Sequence, residues 1–269
     1  MPVYFFAVSQ VQTVNWTDAL WVFLILHLLV YPSSNGYNSY MDRDTTPIGG
    51  LKNPLQPTKQ LFVLSVCMDM AAIGASFLVT RIFGLGILLY ILASRAYSYR
   101  KIRLKKYPVA GYLTVVIFQG AVTFFLVYHG TSSNHTTDVP VISMLGSSLL
   151  IGGFYPLTQI YQHEADRKDG VTTISYQLGY TGTFIFSAIL YLLAFAALGL
   201  QFYLNREWAR FLILQTFMLP VLVYFFIWFA RVRKNEDEAN FANTMTMNLL
   251  ASVCTNLGFI TLLILNIFE

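Results

Sequence analysis

The sequence predicts an all-α polytopic membrane protein, a bundle of about eight full transmembrane helices plus an N-terminal helix stub around a central cavity. Composition is the first observation behind this prediction, because 56% of the 269 residues are hydrophobic and only 11% are charged. The second is that the apolar residues form segments close to the roughly 20 residues that cross a bilayer. A net charge of +4 without a contiguous basic surface argues against nucleic-acid binding.

The apolar segments follow one another along the whole chain. The first runs from Pro2 to Gln10 and is too short to cross about 30 Å of hydrocarbon, so we interpret it as a helix stub. Full-length segments follow at 17–33, 59–79, 82–96, 109–129, 139–161, 181–203, 208–230 and 243–268. Cys67 and Cys254 both lie within such segments, which favours small buried side chains over a disulfide or a metal site.

Basic residues predict the orientation in the membrane. Of the 17 lysines and arginines, only Arg81, Arg206 and Arg210 fall in connections on one side of the predicted bundle. The remaining fourteen (17 minus 3) lie on the other side. Because cytoplasmic connections carry the excess of basic residues, the polar stretches among these fourteen are expected to face the cytoplasm.

The chain is predicted to form a single domain over residues 1–269 that contains two similar halves, about 1–129 and 139–269. With the stub counted as the first helix, the second and sixth helices end in acidic stretches, and the fourth and eighth end in basic ones. Asp42 and Asp166 occupy corresponding positions in the two halves. This arrangement is typical of a duplicated bundle whose halves surround a shared cavity.

The first polar stretch lies between Tyr31 and Pro54, where an apolar segment ends. Asn35, Asn38 and Asp42 recur at i, i+3 and i+7, so they share one face if the helix continues through them. Amide and carboxylate oxygens are ligands that suit Mg²⁺. A solvated loop after a membrane helix is the alternative for this stretch taken alone.

The second polar stretch lies between Thr158 and Thr173. Gln162, Asp166 and Asp169 stand at i, i+4 and i+7 and also share one helical face. Two acidic helix ends that face one cavity would hold a divalent cation together with an anionic ligand.

Other charged residues within the two stretches extend the predicted site. Asp44 and Glu164 are candidate metal ligands, although Glu164 projects away from its neighbours unless the helix unwinds. Lys52 follows two glycines whose N–H groups are free to bind phosphate, and Lys168 lies within the second stretch; both are candidate diphosphate ligands. An ion pair between Glu164 and Lys168 along the helix is the alternative for those two residues.

A basic loop with interleaved tyrosines lies between the two acidic stretches. Contact with anionic lipids, at about 1 kcal/mol per basic residue, is the ordinary interpretation of such a loop. Because the loop lies close to two predicted metal-binding helix ends, binding of a diphosphate is the competing interpretation. Its candidate ligands are Tyr97, Arg100, Lys101, Arg103 and Lys105.

These stretches resemble the motifs of the UbiA-type intramembrane prenyltransferases. Asn38 to Asp42 is similar to the start of that family's first motif, N-D-x-x-D-x-x-x-D. Asp166 to Thr173 is similar to the end of its second motif, D-x-x-x-D-x-x-x-G-x-x-T, and Tyr97 to Lys105 resembles its tyrosine and lysine–arginine loop. The resemblance covers nearly the whole chain and implies nine helices around a lipid-open cavity that holds Mg²⁺ and an isoprenyl diphosphate.

The chain departs from the family pattern at three motif positions. Ser39 and Thr46 stand at aspartate positions of the first motif, and Gln162 stands at one of the second. Asp44 and Glu164 are close enough in sequence to replace the lost carboxylates. The resemblance therefore leaves open whether one or two cations bind.

The resemblance implies an Mg²⁺-dependent integral membrane prenyltransferase that moves an isoprenyl group from its diphosphate to an aromatic or lipid acceptor. The residues expected to carry catalysis are Asn38, Asp42 and Asp166. A membrane terpene cyclase of the same superfamily is the alternative within enzymes. A lipid-binding or transport protein without catalytic activity is the alternative from another class, favoured by the missing aspartates.

Overall fold

Nine principal helices are present in the computed structural model, which describes residues 2–43 and 47–268. Seven of these helices are long and apolar enough to span a membrane, all except α1 and α4. With 18 residues, α4 reaches about 27 Å at 1.5 Å per residue. The helices are α1 (Pro2–Ser9), α2 (Trp16–Asp42), α3 (Lys59–Val79), α4 (Arg81–Ser98), α5 (Pro108–Thr131), α6 (Val141–Lys168), α7 (Ile174–Leu204), α8 (Trp208–Lys234) and α9 (Phe241–Phe268). The predicted all-α membrane bundle with a short first helix is confirmed.

Helix α2 continues nine residues past the predicted end of its apolar segment and carries the first polar stretch on its last turns. Pro32 has no N–H to donate within the helix, and a π-helical segment, Ile25–Val30, lies directly upstream of it. The helix ends where Arg43 adopts a left-handed backbone with φ of 53°. The first acidic stretch is therefore helical up to Asp42, as its spacing predicts.

The end of α6 changes conformation as it reaches the second polar stretch. A 3₁₀ turn, Ile160–Gln162, separates the main part of the helix from its last segment, His163–Lys168. His163 is buried, and its Nε2 lies 2.8 Å from Ser175 Oγ at the start of α7. This contact ties the two helices together and gives His163 a structural partner.

The outer surface of the bundle is apolar, and the helices approach one another closely inside it. Leu78 on α3 is 86% exposed, as expected for a side chain whose solvent is lipid. Between α5 and α6, a Cβ on Gly120 would lie 2.5 Å from Ser148 Cα, so only glycine permits this approach. The short α1 is buried in the bundle, where Phe6 stacks on Phe259 of α9 with ring centroids 4.7 Å apart.

An ion pair that the sequence analysis did not identify joins three helices inside the bundle. Asp69, in the middle of α3, pairs with Arg95 of α4. Ser33 of α2 contacts both charged groups, accepting from Arg95 Nη2 at 2.6 Å and donating to Asp69. The Arg95 guanidinium also lies 4.0 Å from the centroid of the Tyr37 ring. The sequence places Arg95 at the start of the basic loop after the fourth helix, whereas in the structure it is part of the helix packing.

Candidate active site

Both predicted acidic stretches open onto one polar cavity of about 450 Å³ at the end of the bundle. The first stretch contributes Asn35, Asn38 and Asp42 to its wall, and the second contributes Gln162, Asp166 and Asp169. Tyr97 and Lys105, from the basic loop and the helix before it, complete the charged and hydroxyl-bearing lining that the sequence predicts. The structure thus brings together side chains that are more than 120 residues apart in the sequence.

Asp42 is the most enclosed carboxylate of this cavity. Its side chain is only 4% exposed and forms an ion pair with Lys105 through Oδ2. Its Oδ1 lies 3.7 Å from Arg103 Nη2 and receives no hydrogen bond from the described residues. A buried carboxylate oxygen without a hydrogen-bond donor lowers the stability of the fold. This oxygen of Asp42 is therefore available to bind a further ligand.

Arg103 connects the two acidic helix ends. Besides its contact with Asp42, it pairs with the Asp169 carboxylate and donates to the Asp169 main-chain oxygen at 3.2 Å. Its own backbone is left-handed, with φ of 49°, a conformation uncommon for a residue with a side chain. The turn at Arg103 therefore aims its guanidinium between the two stretches.

Asn38 is held in place by the end of α4. Its Oδ1 accepts a hydrogen bond of 2.7 Å from Ser98 Oγ. Asn38 and Asp42 line the cavity on successive turns of α2.

Several predicted residues lie outside the lining of this cavity. Arg100 is exposed and donates from Nε to the Met41 main-chain oxygen at 2.7 Å, so it caps the end of α2. The predicted metal ligand Asp44, like Thr46, is outside the described residues. Four further candidates are exposed and do not line the cavity: Lys52, Lys101, Glu164 and Lys168.

The glycine turn before Lys52 is also arranged differently from its predicted use. Its Gly49 N–H donates to Tyr161 Oη at 3.1 Å, so this N–H already has a partner within the protein. Gln162 Nε2 lies 3.5 Å from the Pro47 main-chain oxygen. These contacts dock the loop after α2 onto α6 and close one side of the cavity.

Two cavity residues on α6 were not predicted from the sequence. Tyr155 contacts the Tyr97 hydroxyl through its own hydroxyl, and Gln159 donates from Nε2 to Tyr155 Oη at 3.0 Å. Tyr155, Gln159 and Gln162 stand at i, i+4 and i+7, which is a polar face on an otherwise apolar helix. This polar face is the feature of the sequence from which Tyr155 and Gln159 could have been predicted as site residues.

A second cavity of about 310 Å³ adjoins the first, and Gln119 of α5 lines both. Its walls are almost entirely apolar and rich in aromatic rings. The aromatic residues that line it are Phe6, Phe154, Tyr191, Phe195, Phe225 and Phe259. A ligand with a charged head and an apolar tail would match the two cavities together.

The polar cavity has the donor chemistry for Mg²⁺, since its ligands from both helix ends are carboxylate and amide oxygens. Among the described residues, no three Asp, Glu, His or Cys side chains come together as a ready-made metal site. Mg²⁺ commonly binds through one or two carboxylates, with water and substrate phosphates completing its shell. Asp42 on one wall and Asp166 on the other fit an ion that arrives with a phosphate ligand.

Comparison with known proteins identifies the family. A family model described as the UbiA prenyltransferase family matches residues 1–250. The chain belongs to this family, and its apolar helices make it a multi-pass integral membrane protein. A search of curated proteins finds no match.

Solved structures share the fold at low sequence identity. A UbiA homologue from Aeropyrum pernix K1, without ligand, has a TM-score of 0.73 at 17% identity, covering 97% of this chain and 95% of that one. A homologue from Archaeoglobus fulgidus, bound to GPP and Mg²⁺, has a TM-score of 0.66 at 17% identity, with coverage of 97% and 94%. A structure of digeranylgeranylglyceryl phosphate synthase has a TM-score of 0.64 at 16% identity, with coverage of 100% and 92%.

Proposed function

We propose that this protein transfers an isoprenyl group from its diphosphate to an aromatic or lipid acceptor within the membrane. One observation carries the proposal: the polar cavity between the two acidic helix ends adjoins the apolar, aromatic cavity at Gln119. An isoprenyl diphosphate has the same division into a charged head and an apolar chain. The A. fulgidus homologue bound to DMAPP and Mg²⁺ supports this assignment.

The diphosphate occupies the polar cavity in this proposal. Lys105 at the cavity wall pairs with Asp42, and Arg103 beside the cavity pairs with Asp169. When a diphosphate enters, its oxygens compete for these two cations, and the released carboxylates become available for Mg²⁺. Bound Mg²⁺ would neutralise charge on the departing diphosphate.

The isoprenyl chain occupies the apolar cavity, where its walls exclude water. The allylic carbon–oxygen bond breaks, and its electron pair leaves with the diphosphate. The resulting carbocation then forms a bond to a nucleophilic atom of the acceptor, which loses a proton. Rings such as Phe154 and Phe225 shield the carbocation from hydrolysis until the acceptor reacts.

The direct test measures product formation in liposomes that contain the purified protein and a radiolabelled isoprenyl diphosphate. We expect a labelled lipid product that requires both Mg²⁺ and an acceptor extract. Product formed without any acceptor would indicate a cyclase, and diphosphate binding without turnover would indicate a protein that is not an enzyme. The variant Asp138→Ala should keep wild-type turnover, because Asp138 is an exposed carboxylate that does not line either cavity. It is the control for the loss of a carboxylate elsewhere in the protein.

The polar cavity is proposed to face the cytoplasm. Arg103 and Lys105 lie beside both acidic helix ends, in agreement with the fourteen-to-three division of basic residues. Single cysteines at the exposed positions Lys101 and Ser133, in a variant without Cys67 and Cys254, test this orientation. In intact cells an impermeant reagent should label position 133 and leave 101 unlabelled. Labelling at position 101 would indicate the opposite orientation in the membrane and contradict the proposal.

A further inference from the structure

A row of hydrogen-bonding side chains leads from α6 to the Tyr97 hydroxyl at the edge of the polar cavity. Tyr97 is in the last turn of α4, directly before Ser98, which holds Asn38. Its hydroxyl contacts Tyr155 Oη, and Tyr155 Oη in turn accepts from Gln159 Nε2 at 3.0 Å. All three side chains line the cavity.

We assign this row the direction in which each group donates toward Tyr97. A tyrosine hydroxyl has one proton to donate. With the Gln159 amide donating to Tyr155 Oη, Tyr155 is free to donate its own proton to Tyr97. The Tyr97 proton is then left for a ligand in the cavity that also contains Asp42 and Lys105.

We propose that Tyr155 and Gln159 are positioning residues that direct the Tyr97 hydroxyl proton toward the diphosphate of the donor substrate. This inference rests on the proposed function, because it needs a diphosphate in the polar cavity. Negative charge accumulates on the diphosphate as the carbon–oxygen bond breaks, so a preoriented donor stabilises the transition state more than the ground state. Hydrogen bonds in a row polarise one another, which strengthens the last one.

The two tyrosines and the glutamine have distinct roles in this arrangement. Tyr97 touches the substrate, whereas Tyr155 and Gln159 act only through it. Without Tyr155, the Tyr97 hydroxyl keeps its proton but loses the partner that orients it. The effect of removing the Tyr155 hydroxyl should therefore exist only while the Tyr97 hydroxyl is present.

The test is a double-mutant cycle with Tyr97→Phe and Tyr155→Phe, assayed as prenyl transfer in liposomes. A hydrogen bond to a charged group corresponds to about 10- to 100-fold in rate, and a neutral one to about 2- to 10-fold. We expect Tyr97→Phe to lower kcat within the first range and Tyr155→Phe to lower it within the second, with little change in KM for the isoprenyl diphosphate. The double variant should match Tyr97→Phe alone.

The outcomes separate this inference from the proposed function. Multiplying effects in the double variant, or an unchanged kcat for Tyr155→Phe, would refute the row of hydrogen bonds while wild-type turnover still supports prenyl transfer. Absence of turnover in the wild-type protein would instead refute the proposed function. Tyr112→Phe is the control for losing a tyrosine hydroxyl, since Tyr112 of α5 lines neither cavity. Thermal unfolding of each variant in detergent shows whether it is folded.

Gln159→Leu tests the other end of the row. It removes the donor to Tyr155 while keeping a side chain of similar size. We expect a fall in kcat no larger than that of Tyr155→Phe and no additional effect in the Tyr155→Phe background. A larger effect than that of Tyr97→Phe would show that Gln159 acts on the substrate directly and would refute its positioning role.

Discussion

Two carboxylate–cation clusters beside α2 differ in whether both carboxylate oxygens have a hydrogen-bond donor. In the cluster of Asp69 and Arg95, Ser33 and the Tyr37 ring surround the ion pair inside the helix bundle. In the other cluster, Asp42 faces the polar cavity, and its Oδ1 accepts no hydrogen bond from the described residues. One cluster therefore joins helices, whereas the other keeps binding capacity for a ligand.

The difference shows that burial of a charge within the membrane does not by itself mark a functional site. Ionisable residues in a membrane span are functional candidates by default, and Asp69 meets that description better than Asp42 from the sequence. Its oxygens, however, are engaged by Arg95 and Ser33, and it lines neither cavity. Openness to a cavity and an unsatisfied oxygen distinguish the candidate catalytic carboxylate.

The largest effect on folding is expected for Asp69→Ala. Removing one partner of a buried ion pair leaves the other charge unpaired in the bundle, which costs about 3–5 kcal/mol of stability. Unfolding in detergent, followed by helical circular dichroism as temperature rises, measures this loss. The double variant Asp69→Leu with Arg95→Met should recover much of it, because no unpaired charge remains. No recovery would mean that the pair does more than join the helices.

The largest effect on activity is expected for Asp42→Ala and Asp166→Ala. Each removes a carboxylate from one wall of the cavity, and losing such a group at a charged transition state corresponds to about 100- to 1,000-fold in kcat. Asp42→Ala also removes the partner of the enclosed Lys105 ammonium group, so it should lower the unfolding temperature as well. The kcat of each variant is therefore compared at a temperature at which that variant remains folded. If both variants kept full Mg²⁺-dependent transfer, the proposal that Asp42 of α2 and Asp166 of α6 bind Mg²⁺ would be wrong.

A smaller effect, on KM for the isoprenyl diphosphate, should distinguish a lysine at the cavity wall from a lysine outside the cavity. Lys105 contacts Asp42 at the cavity wall, whereas Lys52 is exposed and outside the lining. Lys105→Ala removes a charge-assisted contact to the diphosphate, and we expect KM for the isoprenyl diphosphate to rise about tenfold. Lys52→Ala should change it by less than about twofold. Equal effects would restore Lys52 as a diphosphate ligand, as the sequence alone suggested.

The sequence by itself determined the membrane bundle. A span needs only a stretch of apolar residues of sufficient length, and this is a local property. The helical face of Asn35, Asn38 and Asp42 was equally local, because their spacing matches the helical period. All three of these predicted residues line the cavity in the structure.

Tertiary structure alone decided which charged residues belong to the site. Arg95 and Arg103 are eight positions apart, yet one pairs with Asp69 in the bundle and the other bridges Asp42 and Asp169. Sequence cannot separate them, because the choice depends on which helices meet.

The inward face of an apolar helix was the other feature that only the tertiary structure resolved. A helix that is apolar nearly all round gives no amphipathic signal of its orientation. The polar face of Tyr155 and Gln159 on α6 is visible in the sequence, but its contact with Tyr97 is not. The physical reason is that Tyr97 lies on another helix, and no local pattern records which helices meet.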